Sequence, residues 1–359
     1  MNDMEHMCHA LWLARRGLGQ TAPNPTVGCV IVSQGRVVGR GWTQPGGRPH
    51  AETVALALSG EAARGATAYV TLEPCGHHAR TPPCAEALIK AGIARVVAAV
   101  RDPDPRVRGR GFDILRATGV EVTTGILESE AAALNAGFFL RLEQDRPLVT
   151  VKIAQSQDGK TIPPPSASRW ITGEEARRFG HILRVQHEAV LVGIGTVLAD
   201  DPELTCRLPG LECRSPVRVV LDSKLCLPVR AKLVQTARLM PTMLFTITDG
   251  GEDLQDHGVE VIRVMRDTIG RPALRAVLGV LAQRGFTRLL VEGGATVATA
   301  FLQERFADRI EVFTAPMVFG PAGSGEVLLL SAFLASEKVR QTGERVFGPD
   351  LLESYAANA

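Results

Sequence analysis

His50-Ala51-Glu52, followed by Ala68-Tyr69-Val70-Thr71-Leu72-Glu73-Pro74-Cys75 and then Cys84, decides how this chain folds. The second segment is a short apolar run closed by a proline. It reads as a strand, Ala68 to Leu72, that delivers Cys75 at its C-terminal end. The residues after His50 and those from Cys84 to Lys90 read as two helices that begin at the candidate ligands. Helix starts suit thiolates and carboxylates, because the helix dipole favours negative charge there. One imidazole and two thiolates make a three-ligand set for Zn2+ and leave the fourth tetrahedral position to water. Such a water falls toward a neutral pKa and becomes a nucleophile. Glu52 is not a ligand and is placed to take the proton of that water and pass it to a leaving amine. A structural zinc would instead want a fourth His or Cys.

The set is similar to the signature of zinc nucleobase deaminases, His-x-Glu followed by Pro-Cys-x-x-Cys. It departs in one respect: Gly76 to Pro83 separate the two cysteines, and this basic, turn-prone insert is expected to lie over the substrate.

Outward from these motifs, the first half alternates helix and strand. Asp3 to Arg16 carries an apolar stripe at helical spacing, ended by Gly17 and Gly19. Cys29 to Val32 and Val37 to Gly39 read as a hairpin-like pair, and Asn24 sits in a rigid turn between Pro23 and Pro25. Arg95 to Val100 and Val120 to Thr123 read as strands, Gly109 to Thr118 and Glu128 to Leu142 as helices. This pattern predicts an α/β layered domain with helices on both sheet faces and its site at strand ends. The polar stretch 143–147, closed by Pro147, is the expected boundary. It separates domain 1–145 from domain 148–359.

The second half starts a new β run at Leu148 to Ala154. Thr172 with Glu175 reads as a capping box for a helix over Glu174 to Val185. Strands are expected at Ala189 to Gly193, Val217 to Asp222, Thr242 to Ile247, Val259 to Val264 and Arg309 to Ala315, with a helix over Pro272 to Gln283. Arg288 to Glu292 followed by Gly293-Gly294 is a strand, a tight turn and a helix N-terminus at Val297, which makes a backbone cradle for an anion. No G-x-G-x-x-G fingerprint is present.

Composition narrows the partners. The net charge is +2 and aromatics are 5%, so neither a basic field nor a stacking platform points to nucleic acid. The seven cysteines show no framework spacing, so reduced cytoplasmic thiols are expected. No uncharged apolar run approaches membrane-spanning length.

With these residues in view, the chain resembles the bifunctional riboflavin-biosynthesis enzymes, a pyrimidine deaminase fused to a pyrimidine reductase. In the first half the resemblance rests on Pro23 to Gly28, on His50-Ala51-Glu52, and on Thr71 to Cys75 with Thr81-Pro82-Pro83-Cys84. In the second half it rests on Ser156-Gln157-Asp158-Gly159, Ser168 to Thr172, Gly193 to Pro202 and Val291 to Gly294. It implies a cytidine-deaminase-like zinc domain followed by a dihydrofolate-reductase-like domain that uses NADPH. The implied substrates are phosphorylated pyrimidines, and the implied assembly is a homodimer or larger homo-oligomer through the reductase half. Carried over residue by residue, His50, Cys75 and Cys84 hold zinc, Glu52 shuttles protons, and Asn24, His77 and Arg80 contact the first substrate. Ala154, Trp170, Thr196, Asp200, Ser223, Gly293, Gly294, Ala295 and Thr296 line the NADPH site. Lys152, Ser168, Arg184, Leu204, Arg207 and Glu292 face the ribose phosphate, with Arg184 and Arg207 as its forked cations. Thr43 stands where the family commonly has His.

Two rivals remain at this level. One is a single-activity zinc deaminase of nucleosides or tRNA with a C-terminal assembly domain; the other is a nucleic-acid binder on a decayed deaminase fold.

Overall fold

Alternating helices and strands build two compact units, Met1–Gln144 and Asp145–Ala359. The computed structural model describes residues 2–77, 82–105, 107–327, 330–337 and 339–358.

In the first unit α1 (Asp3–Ala14) opens with a capping box. The Asn2 side chain accepts from the Glu5 amide, and the Glu5 carboxylate accepts from the Asn2 amide. The chain then forms the antiparallel hairpin β1 (Gly28–Ser33) and β2 (Arg36–Trp42), followed by α2 (Ala51–Ser59). Gly41 of β2 lets α2 lie directly on the hairpin, since a Cβ there would fall 2.1 Å from the Ala51 carbonyl oxygen. That contact seats the first turn of α2, which carries the catalytic candidates. Next come β3 (Thr67–Val70), α3 (Cys84–Lys90), β4 (Arg95–Ala98), α4 (Arg110–Ala117), β5 (Glu121–Thr124) and α5 (Glu128–Gln144). The sheet runs β2-β1-β3-β4-β5, with β1 antiparallel to both neighbours and β3, β4 and β5 parallel. Parallel strands with helical crossovers place loops, and hence sites, at the strands' C-terminal ends.

The second unit opens with β6 (Leu148–Ser156), α6 (Glu174–Val185), β7 (Ala189–Gly193), α7 (Ile194–Asp200) and β8 (Val217–Leu221). It continues through α8 (Lys232–Gln235), β9 (Thr242–Thr246), α9 (Glu252–Asp256), β10 (Glu260–Arg263), α10 (Leu274–Gln283), β11 (Arg288–Glu292) and α11 (Ala295–Gln303). It ends with β12 (Arg309–Ala315), α12 (Leu330–Leu334), β13 (Val339–Phe347) and β14 (Asp350–Ala357). Nine strands run β10-β9-β8-β7-β11-β6-β12-β14-β13, all pairs parallel except the C-terminal hairpin and its junction with β12. Ala189 and Leu191 join one apolar cluster, Val190 and Val192 the other. This period-two split is what a strand buried on both faces requires. Among the described residues no helix is long and apolar enough to cross a membrane.

Three details differ from the sequence reading. The capping box at Thr172 and Glu175 does not form. The N-cap of α6 is Gly173, with no side-chain cap within the helix, and its amide donates to the Asp350 carboxylate at 2.6 Å. A carboxylate from β14 therefore ties the start of the helix at the Gly173 amide, while Thr172 stands one residue before the N-cap. Helix α11 begins at Ala295, two residues before the expected Val297. The hairpin β13–β14 had no reading at all. Its anchor is aromatic: Phe347 lies 5.0 Å from Phe179 of α6 and 6.4 Å from Phe313 of β12.

Candidate active sites

The first site forms where three loops meet. His50 is the N-cap of α2, Cys84 is the first residue of α3, and Cys75 lies in the loop after β3. The ligand atoms of His50, Cys75 and Cys84 all lie within 4.8 Å of one another. His50 Nδ1 is 3.3 Å from Cys84 Sγ and 3.7 Å from Cys75 Sγ, and the Cys84 amide donates to Cys75 Sγ at 3.3 Å. The Cys84 thiol next to it, the imidazole and that amide bring the Cys75 thiol down to about 4, against burial. Cys84, facing that thiolate and buried, is pushed far up. Two thiols so close cannot both ionise without a cation between them, and both must ionise to serve as ligands. The donor set therefore fits Zn2+.

Glu52 is the second residue of α2 and is 3% exposed. Burial pushes its carboxyl up to about 7, with the His50 imidazole opposing. A dication in the adjacent ligand set would pull it back toward the carboxylate, as a base for water requires.

His50, Glu52 and Cys75 open into a cavity of about 370 Å3, lined also by Asn24, Thr43, Glu73 and His77. Asn24 Nδ2 donates to the Gly47 carbonyl at 3.1 Å, which turns the carboxamide into the site. Gly47 has φ +81°, and a Cβ on it would fall 2.1 Å from Asn24 Nδ2. Gly47→Ala is therefore expected to displace Asn24, to destabilise the first unit by roughly 1–3 kcal/mol, and to raise the deaminase KM with zinc retained. Calorimetry, metal analysis and initial rates on the same preparation check this. Among the described residues, His77 Nδ1 is buried with no hydrogen-bond partner. Arg80 lies outside the described residues.

The sequence reading passed over Asp102 and Asp104, which line the same cavity and are 6% and 4% exposed. Burial pushes Asp102 up to about 7. The loop bearing both is held by Glu73, whose carboxylate accepts from the amides of Asp102 (3.3 Å), Gly109 (3.0 Å) and Gly111 (3.0 Å). The available signal was the Asp-Pro-Asp-Pro step just past a strand's C-terminal end. Arg48 and Arg141 also line the cavity and were likewise not singled out.

The second site gathers at the C-terminal ends of β6, β7 and β11. Lys152 of β6 pairs in register with Glu292 of β11, and Ala154 follows on β6. Arg184 of α6 grips Glu292 through Nε (2.7 Å) and Nη2 (2.6 Å), and donates from Nη1 to the Thr205 carbonyl at 2.8 Å. The side chains of this pair are only 14% and 12% exposed. Burial would raise the Glu292 carboxyl, but Arg184 and Lys152 hold it below its ordinary value. Burial lowers the Lys152 ammonium, with Glu292 opposing. Arg184 is thus committed to Glu292 first, not presented as an open fork. Arg207 is more open, with a half-exposed contact to Glu203 at 3.5 Å.

Beside this cluster, Gly293 (φ +85°) and Gly294 (φ +79°) turn the chain into α11, whose first residues are Ala295 and Thr296. A Cβ on either glycine would fall 3.2 Å from the Thr196 side chain, so the turn and the first half of α7 share one wall. Asp200 is exposed at the end of α7, and Ser223 is half-buried in the turn after β8 that the Asp222 carboxylate holds. Trp170 is 46% exposed, with the Arg169 and Arg177 guanidinium carbons 4.6 Å and 4.9 Å from its ring centre. Ser168 Oγ accepts from the Trp170 amide at 3.1 Å. Leu204 is buried in the core, so its side chain is not presented to a ligand.

A deaminase-type His/Cys/Cys site on one α/β unit and a glycine-turn site on a second, mostly parallel unit define a zinc deaminase joined to a second α/β domain with a site of its own. Comparisons with known proteins place the chain within that class. Residues 1–100 match the cytidine and deoxycytidylate deaminase zinc-binding region, and residues 147–352 match the RibD C-terminal domain. The chain is 44% identical over 352 residues to the riboflavin biosynthesis protein RibD of Aquifex aeolicus, covering 98% of this chain and 97% of that one. It is 42% identical over 338 residues to RibD of Escherichia coli K12, covering 90% of each. The solved structure of Acinetobacter baumannii RibD superimposes with a TM-score of 0.88 at 37% identity, covering 99% of both chains. A Thermotoga maritima diaminohydroxyphosphoribosylaminopyrimidine deaminase/5-amino-6-(5-phosphoribosylamino)uracil reductase does so at 0.87 and 34%, again over 99% of both.

The chain belongs to the RibD family, the bifunctional deaminase/reductases of riboflavin biosynthesis, with a cytidine-deaminase-like zinc-binding domain and a dihydrofolate-reductase-like C-terminal domain. A single-activity deaminase with an assembly domain is not favoured, because the second half matches the family's own reductase domain.

Proposed function

We propose that the first site removes the amine of 2,5-diamino-6-ribosylamino-4(3H)-pyrimidinone 5′-phosphate on a zinc ion held by His50, Cys75 and Cys84. The second site then uses NADPH to reduce the ribosyl chain of 5-amino-6-(5-phosphoribosylamino)uracil to ribityl. The observation that carries this reading is the buried Glu52 carboxyl beside three ligand atoms within 4.8 Å of one another.

Zinc, when bound, lowers the pKa of a coordinated water so that it attacks near neutral pH. Glu52 accepts the proton of that water as oxygen bonds to the amine-bearing ring carbon, and delivers it to the departing nitrogen, which leaves as ammonia. Asn24 and His77 orient the ring, and Arg80 meets the phosphate. NADPH, when bound, supplies hydride. Ala154, Trp170, Thr196, Asp200, Ser223 and the turn from Gly293 to Thr296 hold it. Reduction adds hydride to carbon and a proton to nitrogen across the open-chain form of the ribosylamine. Lys152 and Asp200 bind that sugar and manage the proton, while Arg207, Ser168 and the Leu204 backbone take the phosphate. Arg184 acts on the same substrate, with Glu292 as its buried partner. A homodimer through the reductase unit fits the strand β13, which ends the sheet with most of its residues exposed.

The test follows ammonia release and the cofactor absorbance together. A chelator is expected to stop ammonia release from the diamino substrate, and restored zinc to revive it. NADPH oxidation with the amino-uracil substrate should be untouched by the chelator. Ammonia release from metal-free protein would overturn the reading.

A further inference from the structure

The loop from Asp201 to Arg207 carries two residues that the reading above gives to the reductase substrate, Leu204 and Arg207, yet its backbone is strained. Asp201 has φ +40° and Leu204 φ +57°, both in the left-handed region, and neither is glycine. Each such residue costs on the order of 1 kcal/mol and persists only where surrounding contacts over-determine it. Four side chains supply those contacts. Asp201 caps α7, and its carboxylate accepts from the Lys232 amide at 2.9 Å. Ser215 Oγ accepts from the Cys206 amide at 2.9 Å. Arg184 takes the Thr205 carbonyl, and His181, one turn before Arg184 on α6, accepts the Arg207 amide on Nδ1 at 3.4 Å.

His181 is thus the side chain that touches the backbone of the most open cation in this cluster. Its ring also lies within electrostatic reach of Arg184, Arg207 and Glu292. Burial and the two guanidinium groups lower the imidazole pKa, with Glu292 and the Thr205 backbone opposing, and the Nε2–H tautomer carries on Nδ1 the lone pair that accepts this amide.

We propose that His181 is a positioning residue of the reductase site: by accepting the Arg207 amide it fixes the phosphate-binding cation and sets affinity for the ribose-phosphate substrate, not the rate of hydride transfer. This rests on the assignment of Arg207 to the substrate phosphate.

The test compares His181→Ala, His181→Asn and Arg207→Ala in the full chain. Initial rates are measured with the amino-uracil phosphate, and its binding is measured by calorimetry. Losing one such hydrogen bond corresponds to roughly a 3- to 10-fold change in affinity. His181→Ala is expected to raise KM for this substrate by about that factor, with kcat, the NADPH KM and ammonia release unchanged. His181→Asn, whose amide oxygen stands close to the position of Nδ1, should restore the wild-type KM. An unchanged KM in His181→Ala, an equal fall in kcat, or no rescue by Asn would overturn the proposal. Arg207→Ala separates the two levels. If it leaves the substrate KM unchanged, the assignment of Arg207 fails and the inference with it. If it raises KM while His181→Ala does not, only the inference fails.

Discussion

Glu52→Gln is expected to cut ammonia release by about 10^2- to 10^4-fold while the protein keeps its zinc and its reductase activity. Gln fills the same buried volume at 3% exposure and keeps an oxygen in place, so neither cavity nor fold is at stake. It cannot bind a proton at neutral pH, so it can neither receive the proton of water nor return it to the leaving amine. Zinc analysis and ammonia assay on one preparation separate chemistry from metal loss. Unchanged turnover with zinc in place would remove the proton-shuttle role from Glu52.

Arg184→Ala is expected to destabilise the second unit by about 3–5 kcal/mol and to abolish reduction while deamination persists. The reason is Glu292, which would lose its hydrogen-bonded partner in the interior and be left with the more distant Lys152 and His181. Because the folded-state pKa of Glu292 is depressed, the ion pair stabilises fully above the ordinary carboxylate pKa of about 4 and is lost as pH falls below it. Denaturant unfolding at several pH values should show that acid loss in the wild type and a smaller one in Arg184→Ala. Arg184→Met combined with Glu292→Leu should recover much of the stability and none of the reduction. A stable, active Arg184→Ala protein would show that this pair is dispensable.

What could be read from sequence was whatever a local pattern carries. His50, Glu52 and Cys84 begin helices in the structure as their spacing implied, because helix starts and ligand chemistry are written within a few residues. The strands of both units up to β12 were legible for the same reason, since runs such as Ala189 to Val192 are apolar and short. Asp102 and His181 were not, because the sheet order and a strained loop bring them to their sites from far along the chain. The capping box at Thr172 shows the converse. The local pattern suggested a box that does not form, and the side-chain contact at this helix start comes from Asp350, 177 residues away from Gly173. β13 escaped because its middle is exposed and polar, and only its ends, Val339 and Phe347, meet the interior.

The central claim is an ion held by three protein side chains with one open position beside a waiting carboxylate. X-ray absorption at the zinc edge, with metal analysis of the purified chain, tests it most directly. The expected result is one zinc per chain with two sulfur ligands, one imidazole nitrogen and one exchangeable light-atom ligand. A folded chain without metal, or a zinc closed by a fourth protein ligand, would contradict the account.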